Sequence, residues 1–128
     1  MAMIAHITRD DQWYLGEDKI LRFAIYTTDA LATAVDVSGM ALSWKLATGL
    51  GVTATLSKAT GGSGVTVSGI FDASPSVNTQ RIEVSIADTD TDALPVRTWR
   101  HELKRTDAGL EAILVHGSAY LSGPVHLT

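Results

Sequence analysis

The side chains best suited to chemistry fall in a few short runs. Asp88, Asp90 and Asp92 lie at i, i+2 and i+4 within Asp88-Thr-Asp-Thr-Asp. That spacing opens a calcium loop, in which hard oxygen ligands converge on one cation. The sixth position is Ala93, where the sharp turn requires Gly, and the twelfth is Trp99, where a bidentate Glu is required. The run is therefore expected to be a solvated turn, with no metal. His101-Glu102 resembles the start of a zinc-protease helix, but its second His should stand at position 105, which is Arg105. His101 shares its parity with Trp99 and Leu103 and is expected to be a hydrogen-bonded, partly buried structural residue.

Three further runs invite a reading. Gly61-Gly62-Ser63-Gly64 is rich enough in Gly to cradle a phosphate. Such cradles use the N-terminus of a following helix, and here Val65-Thr66-Val67 is strand-like, so a hairpin loop is expected. Arg97, Arg100, Lys104 and Arg105 form a basic run that alternation divides, with Arg100 and Lys104 on one face beside Glu102. A solvated strand face is the plain reading, and docking of an acidic partner is the alternative. Trp13-Tyr14 beside Asp10 and Asp11 could stack on a sugar ring, although core packing is favoured. No run combines a nucleophile, a base and an oxyanion donor, so the expectation is a non-enzyme with no catalytic, metal or cofactor residues.

Composition agrees with that absence. In 128 residues there are no Cys, which excludes a disulfide framework, a thiolate metal site and a cysteine nucleophile. The net charge of −4 argues against a general nucleic-acid binder, which needs a basic surplus. Ala112 to Thr128 carries no Asp, Glu, Lys or Arg, yet His116, Gly117, Gly123, Pro124 and His126 make it a poor membrane span. Arg9, Asp10 and Asp11 interrupt any apolar leader, so no secretory signal is expected. One soluble domain over 1–128 follows from the length.

The elements that must position these residues read as strands. Leu21, Phe23 and Ile25 share a parity, as do Met40, Leu42, Trp44 and Leu46. Ile82, Val84 and Ile86 alternate with Arg81, Glu83 and Ser85, and Trp99, His101 and Leu103 with Arg100, Glu102 and Lys104. Trp44 and Trp99 should both be buried. Shorter candidates are Ile4–Thr8, Val52–Ser57, Val65–Ile70, Leu110–Val115 and Ala119–Leu121. Asp107-Ala108-Gly109 reads as a hairpin turn with Gly109 at positive φ. Asp88 to Leu94 reads as one helical turn, capped by Asp88 and stopped by Pro95. About seven to nine short strands predict an all-β, antiparallel, immunoglobulin-like sandwich, with a closed barrel as the alternative.

The order of these segments is also familiar. Ile7-Thr8-Arg9-Asp10-Asp11 is followed by the Asp36-Val37-Ser38-Gly39 turn leading into the Trp44 strand, and then by Ser63-Gly64-Val65-Thr66-Val67. Asp88 to Pro95, Thr98-Trp99-Arg100-His101-Glu102-Leu103, Arg105-Thr106-Asp107 and Val115-His116-Gly117 complete it. This order resembles small immunoglobulin-like virion proteins of tailed bacteriophages, similar to upper baseplate protein N-terminal domains and to head- or tail-associated accessory proteins. Where such proteins often place Gly-Thr-Tyr, this chain has Arg97-Thr98-Trp99.

The resemblance implies a structural component of the capsid, tail or baseplate, assembled in the bacterial host cytoplasm and located in the virion. It acts through protein–protein assembly. The implied partners are other virion proteins and copies of the chain itself, with no nucleic acid and no membrane. A carbohydrate- or receptor-binding module for host attachment is the alternative. The apolar surplus of Ile113, Leu114, Val115, Tyr120, Leu121, Val125 and Leu127 is expected to be covered in part by a partner.

Overall fold

A computed structural model describes residues 7–28 and 33–123. Along them the chain forms β1 (Ile7–Thr8), β2 (Asp11–Tyr14), β3 (Lys19–Phe23), β4 (Leu42–Ala47), β5 (Leu56–Ala59), β6 (Val65–Ser68) and β7 (Arg81–Ile86). The turn α1 (Asp88–Thr91) and the long strands β8 (Arg97–Arg105) and β9 (Ala112–Ser122) complete it. Among the described residues no helix is long and apolar enough to cross a membrane.

Two sheets face each other. One has the order β3-β7-β6, and the other runs β9-β8-β4-β5 with β1 and β2 sharing the edge beyond β9. These are the B-E-D and G-F-C-C′ orders of an immunoglobulin sandwich, so the fold is all-β and immunoglobulin-like. Pairing between the named strands is antiparallel except at one edge, where β1 and β2 run parallel to β9. Among the described residues the leading segment, 7–14, thus pairs with the last strand and not with β3.

Alternation places the core. Leu42, Trp44 and Leu46 of β4 and Trp99, His101 and Leu103 of β8 point inward against Leu21 and Phe23 of β3 and Ile82, Val84 and Ile86 of β7. Trp44 is 0% exposed and Trp99 2%. In β9 the alternation breaks, because Leu103 faces Val115 while Lys104 faces Ile113. Leu114 is therefore the extra residue of a β-bulge, and both Leu114 and Val115 are buried. The sequence reads as two strands, Leu110–Val115 and Ala119–Leu121, because His116-Gly117-Ser118 between them lacks strand formers, whereas one continuous strand forms. The bulge takes Leu114 and Val115 of the apolar surplus into the core. Leu121 is buried and Tyr120 points out, while Val125 and Leu127 lie outside the described residues.

Two local expectations are corrected. Gly61 to Gly64 is not a hairpin loop. It carries the chain from β5 in one sheet to β6 in the other, with the Ala59 N–H donating to the Ser63 carbonyl at 3.1 Å. Asp88 is not the helix cap, because the N-cap is Ala87 and no side chain caps it. Instead the Asp90 carboxylate, at the third helical position, reaches back and accepts the Ala87 N–H at 2.7 Å, the half of a capping box that this position supplies. The strand expected over Ile4–Thr8 lies within the described residues only at Ile7–Thr8. The Asp107–Gly109 hairpin forms as expected between β8 and β9, with Gly109 at φ 79.

Candidate functional site

Strand β8 carries two different environments on its two faces. Inward, His101 is the polar centre of the core. The Trp44 indole Nε1–H donates to His101 Nδ1 at 3.3 Å, and His101 Nε2 lies 2.8 Å from the Arg9 carbonyl oxygen. An indole nitrogen can only donate and a carbonyl can only accept, so the ring must be neutral with its proton on Nε2. Burial holds the His101 pKa below the usual imidazole value, and the Arg9 carbonyl and the nearby Asp11 carboxylate oppose that only in part. Phe23 of β3 stacks against the same ring, with centroids 6.5 Å apart. In an antibody domain this place between strands B and F holds a disulfide packed on the strand-C tryptophan. Here the strand-C tryptophan is Trp44, and Phe23 and His101 bridge the sheets without sulfur.

Arg9 and Gly117 make that centre possible. β9 passes under the kink between β1 and β2 at Gly117, where an added Cβ would lie 1.9 Å from the Arg9 carbonyl oxygen. Only Gly lets that carbonyl reach His101. Asp10 fixes the kink by accepting both the N–H and the hydroxyl of Ser118, each at 2.9 Å. These bonds hold the Asp10 carboxyl below its ordinary range. The Arg9 guanidinium lies 4.6 Å over the Phe23 ring, donates to Asp11 at 3.2 Å and donates to the Arg22 carbonyl of β3. One residue thus ties the leading segment to both sheets.

Outward, β8 floors a cleft of about 550 Å³. Arg100 and Glu102 of β8, Lys45 of β4 and His116 and Ile113 of β9 form its base. Register explains the convergence, since Lys45 and His116 are both cross-strand partners of Glu102. The connection from β4 to β5 provides the lip, where Leu50 is 81% exposed and Val52 52%. The Arg100 Nε–H is buried and meets no acceptor among the described residues. Among the described residues neither Arg100 nor Lys45 takes part in an ion pair.

The remaining residues singled out from sequence are dispersed. Asp90 is bound to Lys58 at 2.7 Å. Burial alone would raise its pKa, but Lys58 and the Ala87 N–H together lower it. Asp88 accepts the Thr89 N–H, and Asp92 is exposed, so the three carboxylates have separate tasks. Among the described residues no three His, Asp or Glu side chains are grouped to hold a metal ion. Of the basic run, Arg97 donates to the Thr48 carbonyl and lies over Trp99, while Arg105 pairs with Asp107 at 2.7 Å. Only Arg100 enters the cleft. Trp13 is buried, and Tyr14 is 50% exposed. The cleft lip and Arg9 escape sequence reasoning, since Leu50 sits between Gly49 and Gly51, Val52 opens the expected strand Val52–Ser57, of which only Leu56 and Ser57 are strand, and Arg9 acts on distant partners. No family model matches the chain, and no curated protein matches it significantly.

Proposed function

We propose that this chain is a non-enzymatic structural component of a tailed-phage particle, a capsid-, tail- or baseplate-associated accessory protein that acts by protein–protein assembly. The observation that carries the reading is where the resembling segments fall in the sandwich. Ile7 to Asp11, His101 within Thr98 to Leu103, and Gly117 after Val115 and His116 all meet at one joint. They shape the frame and hold no reacting group. A frame without site chemistry acts through the faces it presents, and particles use such faces in symmetric copies. The fold alone does not carry the reading, because sandwiches host many functions. Mass spectrometry of purified particles from the host strain is the test. The chain should be present at a fixed ratio to the capsid or tail proteins, and its absence would overturn the assignment.

A second reading, host-glycan binding, has its own observation. Tyr14 and Tyr120 are 50% and 42% exposed, and the parallel register places them diagonally on one face, Gln12 facing Tyr120 and Tyr14 facing Ser122. Such a pair can stack on a sugar ring. A glycan array on the parent and on Tyr14→Ala separates the two readings.

A further inference from the structure

We propose that copies of this chain associate head to tail, the acidic end of one molecule seating in the Arg100 cleft of the next. The inference rests on the assembly reading above and names the surfaces that do it.

The receiving surface is the cleft. Among the described residues neither Arg100 nor Lys45 takes part in an ion pair, although Glu102 shares the floor with them. Arg100 is half-buried, so a carboxylate paired with its guanidinium is screened less by water than a pair on open surface. The lip at Leu50 and Val52 adds exposed apolar area beside those charges, which suits a protein segment better than a free ion.

The inserted surface is on other elements. Asp18 accepts the Asp88 N–H at 2.8 Å, and Thr91 accepts the Gly16 N–H at 3.0 Å. These bonds weld the turn before β3 to α1 as one rigid piece. It presents Glu17, Asp18, Asp88 and Asp92, all exposed. Of the cations beside them, Lys58 is already taken by Asp90, and Lys19 at the start of β3 makes no ion pair among the described residues. The two surfaces share no residue, and among the described residues no ion pair joins them. Complementary charge on different patches of one molecule gives a heterologous contact, which closes as a ring or grows as a filament.

Sedimentation velocity of the purified chain, from about 1 to 100 μM and at low and high salt, tests this. Association should appear at low salt and weaken at high salt. Lys45→Gln with Arg100→Gln, and separately Asp88→Asn with Asp92→Asn, should each weaken it about tenfold or more. An equimolar mixture of the two variants should form dimers and nothing larger, because each keeps one working surface. If the Arg100 variant does not fold, Leu50→Asp on the exposed lip probes the same cleft. A parent that stays monomeric overturns the inference, as do variants that assemble like the parent or a mixture that stays monomeric. Particle content is measured apart from this. A monomer found in particles sinks only the head-to-tail contact, and a filament absent from particles sinks only the particle role.

Discussion

His101 and Arg100 are adjacent in sequence and differ in every respect that physics can assign. His101 points into the sandwich, and both its ring nitrogens are engaged, by Trp44 and by the Arg9 carbonyl. Arg100 points out, with a buried Nε–H that has no acceptor among the described residues. A polar group whose bonds are closed within the chain specifies that chain's own packing. Arg100 has no such role in the core, and the outer face it occupies is the one on which the proposed head-to-tail contact relies.

The largest effect should come from the inner face. Trp99→Ala should cost about 3–5 kcal/mol in a chemical melt, and Trp44→Ala should reach the upper end because it also strips His101 of its donor. Next is Gly117→Ala. Its new Cβ would displace the Arg9 carbonyl, and crowding plus the lost His101 bond should cost about 2–4 kcal/mol. If Gly117→Ala melts like the parent, the leading segment does not depend on His101 and the contrast collapses.

A pH series sharpens the same point. The unfolded chain takes up a proton on this histidine near its ordinary value of 6.5, whereas the folded chain holds His101 neutral below that. Unfolding therefore binds more protons in that window, and stability is full above about pH 6.5 and falls as the pH drops below it. His101→Gln should flatten that part of the curve. The hydrogen-bonded carboxylates Asp10, Asp36 and Asp107 lose their contributions only lower, as pH falls through the carboxylate range. The smallest effect belongs to the outer face. Arg100→Gln should leave the melt of the monomer within about 0.5 kcal/mol of the parent, and a clearly larger loss would mean that Arg100 serves the fold.

What could be seen in the sequence follows from range. Arg81–Ile86 and the parities around Trp44, Trp99 and His101 are local signals, and each points to the face that the structure gives it. β1 and β2 are too short to display a period, and their parallel pairing depends on a strand about a hundred residues away. His116-Gly117-Ser118 hides a single strand by interrupting its apolar residues, although the register with β8 runs straight through it. The Gly61–Gly64 segment has the composition of a hairpin, and only the partners of β5 and β6 show that it changes sheets. The cleft is assembled from β4, β8, β9 and a loop lip, and no window of sequence holds more than part of it.

The parallel edge gives the molecule a mechanical property. Because β1 and β2 run in the same direction as β9, the chain enters this seam at one end and leaves it at the other. Tension applied between residues 7 and 122 slides the two segments past each other. It strains the pairs from Ile7–Val115 to Tyr14–Ser122 together, along with the Arg9–His116 and Leu15–Ser122 bonds. An antiparallel seam pulled the same way would peel one pair at a time. Shear resistance depends on the barrier to rupture and not on the equilibrium between folded and unfolded chain. The parallel seam of β1 and β2 on β9 is therefore the edge that resists tension along the length of the sandwich.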